Sequence, residues 1–157
     1  MGLYGYSIVE YVGNKFKLVT SGAITTKANS EFNQRLVDID KAMTEIIECF
    51  NPECMAIEDL FFNQNTKTAI KVAEARGVIL VSAKKKGLEI SEYTPLQVKQ
   101  GVVGYGRATK VQVQQMVKSI LNVEKVPKLD DVTDSIAIAI CHAHSSRAQN
   151  LLSKYYK

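Results

Sequence analysis

The stretch CMAIED at residues 54–59 decides the fold of the chain. It is a short apolar run that ends on two acids, which is typical of a buried strand whose last residues emerge at the edge of a sheet. In open α/β sheets, ligands bind at the carboxyl ends of the strands. Glu58 is therefore a candidate functional residue.

Strands and helices alternate on both sides of this stretch. Gly13 and Asn14 separate two alternating, β-rich segments, which predicts a β-hairpin. Apolar residues at helical spacing predict the helices. The predicted elements are strands over 3–12 and 15–24, a helix over 32–50 capped by Asn29 or Ser30, a strand over 54–59, a helix over 66–86, a strand over 88–93, a helix from Pro95, and helices over 109–121 and 130–144. This order predicts one α/β domain over residues 1–157, with a mixed sheet flanked by helices.

Composition narrows the class of protein. The chain has 157 residues, of which 46% are hydrophobic and 23% are charged. No apolar run approaches the ~18–20 residues that span a bilayer, and no signal peptide opens the chain. We therefore expect a cytoplasmic protein with no membrane partner. The net charge of +4 permits a polyanionic partner without requiring one.

Two further acids fall at a significant position. Asp131 and Asp134 are three residues apart at the start of the last predicted helix, so they share one face. One interpretation is that they only cap that helix and complement its dipole. The other is that they join Glu58 in a site of carboxylate oxygens for Mg²⁺, completed by a substrate phosphate. Two such ions, roughly 3.5–4 Å apart, would activate water and stabilise the leaving oxygen of a phosphodiester.

Basic residues favour phosphate as the partner. Between residues 95 and 128 the sequence has six Lys and Arg residues and one acid. Two of them, Lys99 and Lys110, flank a loop of three glycines, which lets the backbone approach phosphate closely. Phe61 follows Glu58 in a predicted loop, where an exposed ring could stack on a splayed base. The alternative is that Phe61 closes the core.

Together these motifs resemble the RuvC family of Holliday-junction resolvases, crossover-junction endodeoxyribonucleases of the RNase H-like superfamily. The resemblance covers nearly the whole chain, in four ordered blocks: AIEDLFF at 56–62, EARGVIL at 74–80, YTPLQVKQGVVGYGRATKVQVQQMV at 93–117 and DDVTDSIAIAICHAH at 130–144. It implies an RNase H-like mixed sheet flanked by helices. It also implies an endonuclease, dependent on Mg²⁺ with Mn²⁺ as a substitute, that nicks two like strands of a four-way DNA junction symmetrically during recombination and repair.

The resemblance assigns roles by position. Glu58, Asp131 and Asp134 would be the catalytic, metal-binding carboxylates. The DNA contacts would come from Phe61, Lys99, Arg107 and Lys110. The family also implies a homodimer, with the helix over 66–86 in its interface, and a complex with a branch-migration helicase.

The chain departs from the family pattern at its start. RuvC-like chains begin with a central strand carrying an IDPG motif, whose Asp is a fourth carboxylate of the site. Here residues 5–10 resemble the family's second strand, so we expect the 157 residues to lack the first strand and its Asp, either because the true start lies upstream of Met1 or because this is a truncated or diverged form. An alternative function is therefore a catalytically defective module that binds junctions without cutting them. A related nuclease acting on RNA–DNA hybrids is a third interpretation, which the match at 93–117 disfavours.

Overall fold

A computed structural model of the protein describes residues 2–59 and 66–155, with side chains for residues 2–59 and 67–148. The strands are Gly2–Val12 (β1), Lys15–Thr26 (β2), Cys54–Glu58 (β3) and Glu89–Tyr93 (β4). The helices are Phe32–Phe50 (α1), Thr66–Lys85 (α2), Pro95–Val103 (α3), Lys110–Leu121 (α4) and Asp130–Tyr155 (α5). The predicted order of elements is confirmed, and α5 continues well past its predicted end at His144.

The hairpin forms where the sequence predicts it. β1 and β2 pair antiparallel, and Val12 lies opposite Lys15, so the turn consists of two residues. Those residues, Gly13 and Asn14, have φ angles of 57° and 64°. Tight hairpin turns of this kind need positive φ at both central positions, which Gly and Asn adopt more readily than other residues.

The start of α1 differs from the prediction. Its N-cap is Glu31, which makes no side-chain capping bond. The hydroxyl of Ser30 donates instead to the carbonyl of Lys27 at 2.8 Å, and Asn29 lies within the same turn. Ser30 therefore stabilises the preceding turn, and neither expected residue caps the first turn of the helix.

The segment between β4 and α5 is fixed by two capping boxes. Thr94 accepts a bond from the backbone N–H of Gln97, whose side chain accepts one from the N–H of Thr94. Thr109 and Gln112 repeat this exchange at the start of α4. Each box satisfies backbone donors that a helix start would otherwise leave unpaired. Gly101, which the sequence predicts in the glycine-rich loop, belongs to α3 instead, and the remaining loop is held at both ends by helices.

The strands of the described residues do not form one continuous sheet. β1 pairs only with β2, and β3 pairs in parallel only with β4, which gives two sheets of two strands. The α/β class is confirmed, and within the described residues no strand joins the two sheets. Because β3 is paired on one side only within the described residues, its apolar residues are only half-buried, although the sequence predicts a buried strand.

Two apolar clusters hold the helices in place. One packs α1 and α2 against the hairpin and consists of Ile24, Ile39, Met43, Ile47, Ala75, Ala83 and Leu88. The other joins α3, α4 and α5 and consists of Val102, Val117, Leu121, Ile136, Ala137, Ile140 and Cys141. None of the helices that the structure describes is long and apolar enough to cross a membrane.

Candidate active site

A cavity of about 1260 Å³ lies between β1 and β3. Every residue of Leu3–Val12 and of Cys54–Glu58 lines it. Because successive side chains of a strand point to opposite faces, a wall made of consecutive residues is the edge of a strand. Residues of α1, including Met43, and of α5, including Ile138, line it as well. We call this cavity the slot, since it is bounded by two strand edges and two helices.

The contacts of β3 show its direction relative to α5. At the start of β3, Cys54 Sγ lies 3.4 Å from Nε2 of His142, in the middle of α5. At the end of β3, Glu58 interacts with Asp134, near the start of α5. β3 therefore runs opposite to α5.

β1 runs the other way along the same helix. Near its start, Gly5 packs so closely on the backbone of Asp131 that a Cβ atom would overlap it. Near its end, the hydroxyl of Tyr11 accepts a bond from Arg147 Nη1 at 3.3 Å. β1 thus follows α5 in direction and is antiparallel to β3 across the slot. The beginning of α5 and the end of β3 meet at one end of the slot.

Three predicted carboxylates border the slot at that end: Glu58, Asp131 and Asp134. Burial raises the pKa of Glu58, and the neighbouring charge of Asp134 raises it further. Burial also raises the pKa of Asp134; Lys110 lowers it, whereas Asp131 and Asp130 raise it. The pKa of Glu58 and that of Asp134 are both raised although Lys110 lies near Asp134, and a cation at this position would supply further compensating positive charge.

The donor set suits a hard divalent ion, although the acids do not form a closed cage. In the ranges 2–59 and 66–155, no three His, Cys, Asp or Glu side chains converge closely enough to hold one metal ion. Mg²⁺ usually takes one or two carboxylates and completes its shell with waters and substrate phosphate. Glu58 and Asp134 fit that requirement, and Asp131 borders the same end of the slot.

A lysine lies beside these acids. Lys110 is the first residue of α4, and its Nζ donates to Oδ2 of Asp130 at 3.0 Å. This hydrogen bond, together with the charge of Asp134, raises the pKa of Lys110. The sequence predicts a role for Lys110 but gives no signal for Asp130 beyond its position next to Asp131. The structure thus brings Lys110 to the acids through a residue outside the predicted set.

The other predicted DNA contacts lie on the same basic segment or outside the described residues. Lys99 is half-buried on α3, and Arg107 is exposed in the loop that follows. That loop begins at Gly104, whose φ of 100° favours glycine over any other residue. Phe61 lies outside the described residues.

An arginine that the motif analysis did not select supports Glu58. Arg76 of α2 donates from Nη2 to the backbone carbonyl of Glu58 at 3.2 Å and pairs with Glu92 at 3.1 Å. Its Nε is buried without a hydrogen-bond partner among the described residues. Arg76 therefore fixes the end of β3 that carries Glu58. The sequence alone offers no signal for this contact, because α2 and β4 are brought to Glu58 only by the fold.

His142 has two partners at the other end of the slot. Its Nδ1 lies 2.7 Å from the hydroxyl of Tyr93, and its Nε2 faces Cys54. Burial lowers the pKa of His142 and so favours its neutral form. These contacts tie α5 to both strands of the parallel sheet, which is a structural role.

Comparison with known proteins gives a consistent result. The family model described as "Crossover junction endodeoxyribonuclease RuvC" matches residues 2–142. The protein of that name from Alkaliphilus oremlandii is 56% identical over 145 residues, which cover 92% of this chain and 88% of the relative. That from Clostridioides difficile is 51% identical over 152 residues, covering 97% and 90%.

Solved structures of Thermus thermophilus RuvC have the same fold. One has a TM-score of 0.86 at 32% sequence identity, and the match covers 92% of this chain and 89% of the Thermus chain. Another, of RuvC in complex with a Holliday junction substrate, has a TM-score of 0.83 at 30% identity, covering 92% and 88%. With the acids at the end of β3 and the start of α5, these similarities show that the chain belongs to the RuvC family of crossover junction endodeoxyribonucleases.

Proposed function

We propose that this chain is a divalent-metal-dependent endonuclease that nicks two like strands of a four-way DNA junction symmetrically, in recombination and repair. The observation that carries the proposal is that Glu58, Asp131 and Asp134 border one end of the slot with Lys110 close by. The resolvase family to which the chain belongs supports DNA junctions as the substrate. Mg²⁺ is the proposed ion, with Mn²⁺ as a substitute.

The proposed roles follow from the chemistry of each side chain. Glu58 and Asp134, with Asp131, offer oxygen ligands to the ion, which when bound would polarise a water molecule and neutralise charge on the phosphate. Lys110 places a flexible point charge where a phosphate oxygen would approach the acids. Lys99 and Arg107 hold flanking phosphates, and these contacts orient the DNA without selecting a sequence. Phe61 stacks on a base near the crossover.

Assembly is part of the proposal. A two-fold homodimer presents two identical sites to two like strands, so symmetric nicks follow from symmetry. The helix α2 is the proposed interface, and its exposed Ile70 and Val81 support this assignment. We further propose that the 157 residues form one domain, that it acts in the cytoplasm, and that it works with a branch-migration helicase.

A second candidate function is junction binding without cleavage. The observation that favours it is that, within residues 2–59 and 66–155, no three acidic, His or Cys side chains converge closely enough to hold one metal ion. Lys99, Arg107 and Lys110 would still attract a branched DNA. Cleavage would then be weak or absent while binding persists.

The test separates metal binding from DNA binding. A labelled junction is incubated with the parent protein, Glu58→Gln and the control Glu45→Gln, which alters an exposed acid on α1. We expect Glu58→Gln to lose nicking in Mg²⁺ but to retain the gel shift in EDTA, and Glu45→Gln to behave like the parent. Loss of the gel shift in Glu58→Gln would indicate a structural role for this residue.

A competition experiment tests the substrate. Unlabelled four-way junction, linear duplex and RNA–DNA hybrid compete for the protein at one salt concentration, because non-specific phosphate binding weakens steeply with salt. We expect the junction to compete best. Equal competition by the hybrid would overturn the assignment to junctions.

A further inference from the structure

We propose that Arg35 and Lys71, which share contact with the ring of Phe32, form a second phosphate-binding site for the DNA backbone, opposite Lys110 across the acids. This inference rests on the proposed function, because it names a further part of the DNA that the protein contacts. None of the three residues of the site lines the slot, so the inference holds whatever occupies that cavity.

Two cations from separate helices meet at one aromatic ring. Lys71 Nζ on α2 lies 5.5 Å from the ring centroid of Phe32, and the guanidinium carbon of Arg35 on α1 lies 5.7 Å from it. The two positive groups are therefore no more than about 11 Å apart. A ring attracts a cation through its quadrupole and carries no net charge, so Phe32 holds both side chains without neutralising them.

The two cations lack a counter-charge. Among the described residues, no acidic side chain forms an ion pair with Arg35 or Lys71. The acids nearest to Arg35 in the sequence, Glu31 and Asp38, accept hydrogen bonds from neighbouring amide side chains instead. A position lined by charges of one sign attracts counter-ions, which for two cations means an anion such as phosphate.

Arg35 is held in a fixed orientation at the open end of the hairpin. Its Nε donates to Oγ1 of Thr26 at 3.0 Å, and Thr26 is only 4% exposed. A Cβ atom on Gly2 would lie 3.0 Å from Nη2 of Arg35, so glycine leaves room for the guanidinium there. The bond to Thr26 uses one N–H group, and the planar guanidinium can offer others to a phosphate as a bidentate pair.

The site lies within reach of the acids along β1. Gly2 is next to Arg35, and Gly5 packs on the backbone of Asp131. Three residues of an extended strand span roughly 10 Å. Phosphates of one DNA strand are spaced about 3.4 Å along the axis of a duplex, so this span corresponds to roughly three nucleotides. A phosphate bound by Arg35 would therefore lie about three nucleotides from the phosphate at the acids.

This site and the basic segment lie on different parts of the fold. Arg35 and Lys71 belong to α1 and α2, which pack in one apolar cluster, whereas Lys110 begins α4, which packs in the other. On one side, β1 leads from Arg35 to Asp131. On the other side, Asp130 accepts a bond from Lys110 at 3.0 Å. The acids therefore lie between two sources of positive charge, and a DNA strand held by both would be fixed over them without selection of sequence.

The first experiment measures how DNA binding depends on salt. Gel shifts in EDTA compare the parent with Arg35→Gln, Lys71→Gln and the control Lys41→Gln, which alters an exposed lysine of α1. Four-way junction and linear duplex both serve as probes, because both offer phosphates. We expect the slope of log affinity against log salt to fall by about 0.9 per lost phosphate contact in Arg35→Gln and Lys71→Gln, and to stay unchanged in Lys41→Gln.

The second experiment locates the phosphate. Junctions carry one uncharged methylphosphonate linkage, placed in turn at successive positions on either side of the expected nick. We expect the parent to bind more weakly when the linkage about three nucleotides from the nick is uncharged. Arg35→Gln should not respond to that change, because its contact is already lost, whereas Lys110→Ala should respond as the parent does.

The outcomes separate this site from the proposed function. Circular dichroism verifies that the variants are folded; if Arg35→Gln is not, Lys71→Gln decides. An unchanged salt slope in the folded variants, an equal loss in Lys41→Gln, or equal sensitivity of the parent and Arg35→Gln to every methylphosphonate would overturn the site. A parent that binds junction and duplex equally and nicks neither would refute the proposed function, while the salt slopes would still decide the site.

Discussion

Two isoleucines of α5 distinguish a packed core from an open slot. Ile136 is 0% exposed within the cluster of α3, α4 and α5, whereas Ile138 borders the slot. Truncating a closely packed Ile to Ala costs about 2–5 kcal/mol, because transfer energy and cavity terms add. A side chain that faces empty volume lacks partner atoms on that side and loses less. We expect Ile136→Ala to cost roughly 3 kcal/mol and Ile138→Ala about 1 kcal/mol.

For a chain of 157 residues, 1 kcal/mol corresponds to a shift in Tm of about 2–4 °C. Ile136→Ala should therefore lower the Tm by roughly 6–12 °C and Ile138→Ala by about 2–4 °C. Thermal unfolding followed by circular dichroism at matched pH and salt measures both. Equal losses in the two variants would refute the slot, since Ile138 would then be as closely packed as Ile136.

Three further predictions concern the site. Lys110→Ala should slow junction cleavage more than Lys118→Ala, because Asp130 holds Lys110 beside the acids. Equal cleavage rates in the two variants would mean that both lysines act only by general electrostatic attraction of the DNA. Asp130→Asn should lower kcat several-fold, because Lys110 loses the partner that holds it beside the acids, while the gel shift in EDTA stays unchanged or becomes stronger. If the substitution only removed a negative charge, DNA binding would tighten and turnover would not slow. The third prediction concerns pH. Because the pKa of Glu58 is raised in the folded state, the folded protein binds that proton more tightly than the unfolded chain does. The stability of the metal-free protein should therefore fall as the pH rises from the ordinary carboxyl range towards the raised pKa of Glu58. In Glu58→Gln, the Tm should depend less steeply on pH than in the parent, and Mg²⁺ should stabilise the parent more than the variant. Identical dependence of Tm on pH in the two proteins would show that Glu58 does not link protonation to stability.

The local structure was predictable because local chemistry determines it. Gly13 and Asn14 can adopt the positive φ that a two-residue turn requires, so the hairpin and its register follow from the sequence. Apolar spacing placed α1 and α4 to within a residue at each end. The N-cap of α1 was mispredicted, because Ser30 can bond either to the helix or to the preceding turn, and only the path of the chain decides between them.

The candidate site was predictable in part. The position of Glu58 at a strand end and the spacing of Asp131 and Asp134 indicated acids that the fold then placed at one end of the slot. The contacts of Arg76 and Asp130 were not predictable, because each depends on how separate elements pack. The division into two sheets is also a tertiary effect, since pairing partners of β1 and β3 are not encoded within either strand.

The most direct test of the account is to map nicks on a four-way junction in which each strand is labelled in turn, with Mg²⁺ present. The account predicts nicks at symmetric positions in two like strands, none in the other two, and loss of both nicks together in Glu58→Gln. A gel shift with the junction but no nick in any strand, with Mg²⁺ or with Mn²⁺, would contradict it and leave junction binding as the function.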